Sequence, residues 1–167
     1  MSAPATQAIA TPEVFPSLGW FARLAERMAA QPEKYRKLGS VDLTLVARIV
    51  FPDGRAEAYR LAFEGHRCRA VERVEGDPAL GARHVVILEG EYAAWVEMIE
   101  SIRRHGRADL THTLNYLTLP DWPFRLLPAD DAEGQLDVDR FYRFNETLQE
   151  FFDEAAAVDT RFGGHGG

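Results

Sequence analysis

Two titratable side chains, Asp109 and His112, lie three residues apart and would share one face of a helix. A carboxylate beside an imidazole can bind a metal ion or orient a general base. Two ligands are too few for a tight metal site, and the spacing of the other histidines supplies no third. We therefore favour a helix cap at Asp109 and a surface or half-buried histidine, and we expect no bound metal or cofactor.

The other candidates for catalysis are isolated. Cys68 lies in a predicted strand with no neighbour that would lower the pKa of its thiol, so a small buried residue is its favoured role. Glu89 and Glu91 flank a glycine at a predicted helix start, where negative charge favours the helix dipole, and we do not interpret them as a catalytic pair. The sequence has no GxSxG elbow, GxGxxG loop, P-loop, HExxH or paired CxxC. We predict no catalytic residue.

A basic cluster follows the last turn of a predicted helix and consists of Arg103, Arg104, His105 and Arg107. Cations at a helix C-terminus complement the dipole, and this is the favoured interpretation. The sharper hypothesis is a head-group site at the mouth of a pocket. In an acidic protein, Arg103, Arg104 and Arg107 could hold a carboxylate, a CoA phosphate or an anionic membrane surface.

The second half of the chain carries an excess of large apolar side chains. For any one of them a place in a close-packed core is the favoured interpretation. Several helices with wide aromatic stripes on one side of a small sheet are nevertheless hard to fill without gaps, and pockets for apolar ligands are built from such surfaces. The predicted lining comprises Trp95, Ile99, Ile102, Leu114, Leu117, Trp122, Phe124, Phe141, Phe144 and Phe151.

Composition is that of an ordinary globular protein of 167 residues, with 46% apolar and 27% charged residues, and it predicts one domain. A net charge of -7 argues against a general nucleic-acid binder. The single cysteine excludes an internal disulfide and fits a reducing compartment. We see no secretory signal and no apolar stretch long enough to cross a bilayer, so we expect a soluble cytoplasmic protein.

The elements that must position these residues begin with a helix capped by Ser17, whose predicted buried stripe runs from Leu18 to Met28. The helix ends before Pro32 or restarts there through Leu38. Residues 41–51 alternate between apolar and polar side chains, which predicts a strand with one buried face. A PDG turn at 52–54 then predicts a hairpin with a strand over 58–64, and a weaker strand follows over 68–74.

The stretch HVVILEGEYAAWVEMIESIRRHGR at 84–107 predicts a buried strand that runs directly into an amphipathic helix. We expect a short helix over 109–116, a short edge strand over 124–127 between prolines, and a last helix that begins at Asp137 or Asp139. This order predicts an α+β fold, with helices on one face of a mostly antiparallel sheet of about five strands. Residues 15–159 form the predicted domain, between a disordered segment 1–14 and a flexible glycine-rich segment 160–167.

This layout resembles the sterol carrier protein 2 (SCP2-like) family of lipid-binding domains. The resemblance rests on the amphipathic first helix, the strand meander with its PDG turn, and VVILEGEYAAWVEMIES, a strand entering an acidic, tryptophan-containing helix. It covers about residues 15–155. It implies a five-stranded sheet with helices around an apolar tunnel for sterols, fatty acids or fatty acyl-CoA. Where the family has a Gly-Lys-containing strand, this chain has LNYLTLPDWPFRLLP, which implies a shortened or distorted fifth strand.

Three functions are consistent with the sequence. The first is a non-enzymatic binding or carrier protein for a hydrophobic small molecule. The second is an enzyme or accessory subunit that acts on an apolar aromatic or steroid substrate in a catabolic pathway, with His84 or His112 as acid or base. The third is a structural partner that forms a homodimer through the aromatic stripe of 141–152. Transient contact with a membrane surface is a further expectation.

Overall fold

The computed structural model describes residues 12–78, 81–82, 84–128 and 134–163. Seven strands and six α-helices lie in this part of the chain, together with 3-10 turns at Leu110–His112 and Glu154–Ala157. The strands are β1 (Glu13–Phe15), β2 (Val41–Val50), β3 (Ala56–Gly65), β4 (Arg67–Val74), β5 (Val85–Glu91), β6 (Arg125–Pro128) and β7 (Thr160–Phe162). The helices are α1 (Leu18–Ala29), α2 (Pro32–Leu38), α3 (Tyr92–His105), α4 (Leu114–Leu117), α5 (Gly134–Arg143) and α6 (Asn145–Asp153).

The main sheet has five strands in the order β4-β3-β2-β5-β6. The hairpin predicted around the PDG turn is present, with Val50 opposite Ala56 and Val41 opposite Gly65. Strand β5 lies on the other side of β2 and runs parallel to it, whereas every other pair in this sheet is antiparallel. The predicted mostly antiparallel α+β fold is therefore confirmed.

Alternation along β2 gives the sheet one fully apolar face. Leu43, Leu45, Ala47 and Ile49 are buried in the same core as residues of α1, α3 and α6. On the opposite face Glu89 accepts hydrogen bonds from the guanidinium groups of Arg48 and Arg125. Burial raises the pKa of Glu89, but these two arginines outweigh it and hold the pKa below its usual range. Glu89 thus joins three neighbouring strands by charge.

The first helix begins as predicted, because the Ser17 side chain accepts a hydrogen bond from the Trp20 backbone amide at 3.0 Å. The predicted stripe is partly wrong. Leu18 is 45% exposed, whereas Trp20 is fully buried and donates its indole hydrogen to Thr160 at 3.0 Å. Of the two alternatives at Pro32, the structure has the second helix, and it ends before Gly39.

Glu154 ties the first two helices to the turn after α6. Its carboxylate is only 3% exposed and accepts hydrogen bonds from Arg27, Gln31, Lys34 and Tyr35 at 2.6–2.9 Å. A buried carboxylate with this many donors is stabilised in its charged form. The sequence pattern contained no signal for this cluster.

Helix α3 begins and ends as predicted, with Gly106 in the left-handed conformation as its C-cap at φ 83°. Two later predictions need correction. The single helix expected over 109–116 is a 3-10 turn followed by α4. The last helix, expected to begin at Asp137 or Asp139, begins at Gly134 and is two helices, α5 and α6, that meet at Phe144. The edge strand expected over 124–127 is β6, shifted by one residue.

A second, two-stranded parallel sheet joins β1 to β7, with Phe15 opposite Phe162. Phe15 is fully buried against Trp20 and Trp95. These two strands lie at and just outside the ends of the predicted domain, 15–159, whose bounds stay a prediction. The predicted disorder of residues 1–11 and flexibility of 164–167 lie outside the described residues. Within the described residues, no helix is both long and apolar enough to span a membrane.

Candidate functional site

Trp95 is the centre of the apolar cluster between the sheet and the helices. It is fully buried on α3, and its ring centroid lies 4.8 Å from that of Phe124 and 6.0 Å from those of Phe15 and Phe152. Its indole nitrogen donates to the carbonyl oxygen of Arg48 at 3.3 Å, which satisfies its one polar atom. Trp95 therefore presents an apolar surface to its neighbours.

Phe124 packs directly on the backbone of Gly90. A Cβ atom at Gly90 would overlap the Phe124 ring and approach the Trp95 indole nitrogen to 3.3 Å. Gly90 lies in β5 with an ordinary extended conformation, so the close approach of this ring, rather than a turn, requires the missing side chain. Sequence reasoning missed this contact, although an isolated glycine in a strand often marks such an approach.

The structure brings most of the predicted lining residues into one buried cluster and places Trp122 outside it. Trp122 is 38% exposed, and its ring packs against Tyr116 at 4.7 Å. Phe144 is half-buried at the junction of α5 and α6. The fully or almost fully buried members are Trp95, Ile99, Ile102, Leu114, Leu117, Phe124, Phe141 and Phe151.

A small cavity of about 280 Å³ lies beside this cluster at the N-terminal end of α3. Its walls are both apolar and acidic, since Ala94, Leu117 and Pro123 line it together with Glu91 and Glu97. His112 completes the lining, with Nδ1 2.7 Å from Asp109 and Nε2 2.8 Å from Glu97. Asp109 lies at the N-cap position of the turn Leu110–His112, as predicted, but its side chain makes no capping hydrogen bond and contacts His112 instead. His112 is half-buried, as favoured. Among the described residues, no group of three or more metal-ligating side chains could hold a metal ion.

The ion pairs of His112 give the protein a predicted pH dependence. Burial lowers the pKa of His112, but hydrogen bonds to Glu97 and Asp109 outweigh it and raise the pKa above 6.5. The stabilisation from these ion pairs is fully present at pH values below the pKa of His112 in the unfolded chain. It is lost as the pH rises through the pKa of His112 in the folded protein. We expect the wild type to lose about 0.2–1 kcal/mol of unfolding free energy over this range relative to His112→Gln, measured by urea titration at several pH values. Parallel profiles for the two proteins would contradict this.

His84, the other histidine considered for acid–base chemistry, lies at the start of β5 between two carboxylates. Its Nδ1 is 3.5 Å from Asp137 and its Nε2 is 3.9 Å from Asp42. It has a positive φ of 54°, which is uncommon for residues other than glycine, and its carbonyl oxygen accepts a hydrogen bond from the amide of Thr44. Within the described residues, His84 lies apart from the cavity at α3.

In the structure the arginines of the basic cluster lie in different surroundings. Arg103 donates to the carbonyl oxygen of Thr160 at 3.3 Å and lies 3.6 Å from Asp159, so it attaches α3 to β7. Arg104 is exposed, and Arg107 lines a surface groove of about 530 Å³ whose other walls include Glu150 and Asp153. The predicted head-group site at these three arginines stays a prediction.

Cys68 is a buried thiol in β4, as the sequence indicates. Burial raises its pKa to about 12. Because the thiolate is the reactive form, we expect alkylation of Cys68 by iodoacetamide at pH 8 to be at least about 100-fold slower in the native protein than in urea. Mass spectrometry of timed samples measures both rates. Comparable rates would show that the strand opens readily or that the thiol is not buried.

Comparisons with known proteins place this geometry in a known fold. No protein-family model matches the sequence, and no curated protein matches it. The crystal structure of sterol carrier protein 2 superposes with a TM-score of 0.54 at 22% identity, covering 83% of this chain and 95% of that one. The solution structure of a conserved hypothetical protein from Thermus thermophilus, suggested to be a sterol carrier protein, superposes with a TM-score of 0.53 at 18% identity. That match covers 91% of this chain and 96% of the other.

These likenesses define the fold. The chain is an α+β protein with helices packed on a five-stranded, mostly antiparallel sheet. Its fold is SCP2-like, as the sequence resemblance implied.

Proposed function

We propose that this protein is an intracellular binding or carrier protein for a hydrophobic small molecule, such as a sterol, a fatty acid or an acyl-CoA-like lipid. The observation that carries the proposal is the cluster around Trp95. The rings of Phe15 in β1, Phe124 just before β6 and Phe152 in α6 pack around Trp95 within the hydrophobic core. The only polar atom of Trp95 is already satisfied, so the cluster suits a ligand without polar groups at that end.

The fold supports the same function. Both structural neighbours are described as sterol carrier proteins, one of them as a suggestion only. We extend that role to this chain because its apolar cluster occupies the space between sheet and helices. The proposed lining is the predicted set without Trp122, whose ring is partly exposed. Affinity would come mainly from buried apolar area, at about 25 cal/mol per Å² before the costs of association.

Native mass spectrometry of the purified protein tests this proposal, followed by extraction and identification of any bound molecule. We expect a co-purifying lipid, or saturable binding of a fluorescent fatty acid or sterol by the delipidated protein. The denatured protein is the control for nonspecific association. An empty protein that also binds neither probe would overturn the carrier function.

A catalytic role is the second candidate, and one observation favours it. His112 lines a cavity and is held by two carboxylates, which raise its pKa as a general acid requires. An enzyme or accessory subunit for an apolar aromatic or steroid substrate would use His112 there. Turnover of a bound ligand that is lost in His112→Gln, while binding persists, would favour this function over simple carriage.

The proposed dimer face is less well supported. Phe141, Phe151 and Phe152 are fully buried within their own chain, so the aromatic stripe of 141–152 is not available to a second copy in this conformation. Homodimerisation stays a prediction, and sedimentation at several concentrations tests it.

A further inference from the structure

We infer that Phe124 occupies a ligand slot above Gly90, and that this slot opens to the acidic cavity at α3 and therefore selects an apolar ligand whose polar end is neutral or cationic. The inference rests on the proposed function and specifies its site. The slot has Gly90 as its floor and Trp95 as its side wall, and both touch the Phe124 ring.

At Gly90 the slot has room for a flat or narrow apolar group to lie directly on the backbone of β5. Because Gly90 has no side chain, the Phe124 ring lies directly against the backbone of β5. If Phe124 rotates away, the exposed surface consists of the Trp95 ring and the backbone of β5, where Gly90 is paired with Ile49 of β2. The indole nitrogen of Trp95 is already bonded to the Arg48 carbonyl oxygen, so we expect a ligand to enter with its apolar end first.

The segment before Phe124 is suited to movement. Residues 118–123 form irregular turns held by a few backbone hydrogen bonds, Leu119 to Tyr116, Trp122 to Leu119 and Phe124 to Leu117. Segments with few buried contacts and little regular hydrogen bonding open at low free-energy cost. The slot and the cavity share their boundary here, since Leu117 and Pro123 line the cavity and flank Phe124.

The charge of the cavity determines which head group fits. Glu91 and Glu97 line it, and Asp109 lies 2.7 Å behind His112. Even with His112 protonated and about half a positive charge from the helix N-terminus, these three carboxylates leave the cavity negative. A carboxylate head group is repelled, whereas a hydroxyl or an ammonium group can donate hydrogen bonds to Glu91 or Glu97. The arginines at the other end of α3 are about 20 Å away, given a rise of about 1.5 Å per residue, and cannot compensate.

Stopped-flow tryptophan fluorescence with dodecanol, dodecylamine and dodecanoate tests the slot in the full-length protein. We expect the alcohol and the amine to bind wild type at least about tenfold more tightly than the carboxylate, a difference of about 1.4 kcal/mol. The association rate should level off as ligand concentration rises, because opening of Phe124 becomes limiting. Glu91→Gln should strengthen dodecanoate binding about threefold to tenfold by removing one like charge. Glu100→Gln, at an exposed position on α3, is its control.

Phe124→Ala should remove the plateau and raise the association rate at least about tenfold, since no side chain then has to leave the slot. Phe21→Ala is the matched control, because Phe21 is equally buried but packs on Tyr59 and Trp20, away from the slot. Equal rates for Phe124→Ala and Phe21→Ala, or preference of wild type for dodecanoate, would overturn the slot while leaving the carrier function intact. If neither the wild type nor any variant binds any probe, both the slot and the carrier function are contradicted. The head-group series on wild type gives its result even if Phe124→Ala does not fold.

Discussion

Replacement of Glu154 by alanine is expected to lower the free energy of unfolding by about 3–5 kcal/mol. The change removes the acceptor for Arg27, Gln31, Lys34 and Tyr35, and it leaves the buried Tyr35 hydroxyl without its partner. An uncompensated buried polar group costs far more than the loss of an exposed ion pair. Urea unfolding monitored by circular dichroism measures the effect.

Glu64→Ala is the matched control, because its ion pair with Arg69 at 2.9 Å has both side chains more than half exposed. That variant is expected to lose at most about 1 kcal/mol. Similar losses for Glu154→Ala and Glu64→Ala would show that the Glu154 cluster is solvated and contributes little.

The Glu154 carboxylate also makes the free energy of unfolding depend on pH. Burial raises the pKa of Glu154, but hydrogen bonds from Lys34, Tyr35 and Gln31 outweigh it, and the pKa lies below its usual 4.5. The stability that depends on this shift is present above the unfolded pKa and is lost as pH falls through the folded pKa. Glu154→Gln, which keeps the shape without the charge, should therefore show a weaker loss of stability on acidification than wild type.

Trp95→Ala is expected to destabilise the protein by about 3–5 kcal/mol and to abolish binding of any ligand held in the cluster. The indole fills the space between Phe124 and Phe152 and joins α3 to β2 through the Arg48 carbonyl oxygen. Removing it leaves a cavity that the surrounding rings can close only in part.

Trp122→Ala makes the same chemical change at a partly exposed position, where the ring contacts Tyr116. We expect a loss below about 1 kcal/mol, since surface substitutions of this kind are usually small. Urea midpoints of the two variants measure the difference. A loss at Trp122 equal to that at Trp95 would contradict the placement of the cluster around Trp95.

The parts of the fold that could be predicted are those in which a periodic pattern is long enough to exclude the alternatives. Alternation over residues 41–51 predicted β2, and the change of period after Gly90 marked the passage from β5 into α3. The Ser17 cap and the PDG turn were identified from local backbone chemistry. In each of these cases the deciding interactions lie within a few residues along the chain.

The features that escaped prediction depend on distant partners. Alternation in β2 cannot reveal that β5 is its parallel neighbour. The apolar pattern of the last helix continues through Phe144, where the structure changes from α5 to α6, because periodicity describes a face and not the continuity of the backbone. Strands β1 and β7 are three residues each, too short to show any period.

The candidate site was predicted only in part, because a periodic pattern reveals the face of one helix but not its contacts with distant parts of the chain. The helical stripe of α3 identified Trp95, Ile99 and Ile102 as one face, and the structure buries all three. Composition could not separate Trp122 from Phe124, because both are aromatic residues in a segment with no regular period, although one is at the surface and the other in the core. The acidic cavity could not be predicted, because its walls combine residues of α3 with His112 from the turn at Leu110–His112.

The pairing of β1 with β7 has a consequence for how the chain is made. Synthesis runs from the N-terminal side, so the segment that holds Phe15 is made well before its partner strand β7 at Thr160–Phe162. Until β7 emerges, the ring of Phe15 lacks its contact with Phe162, and the indole of Trp20 lacks its hydrogen bond to Thr160. During synthesis this segment therefore exposes hydrophobic surface, and we expect a chaperone that acts on growing polypeptides to bind there.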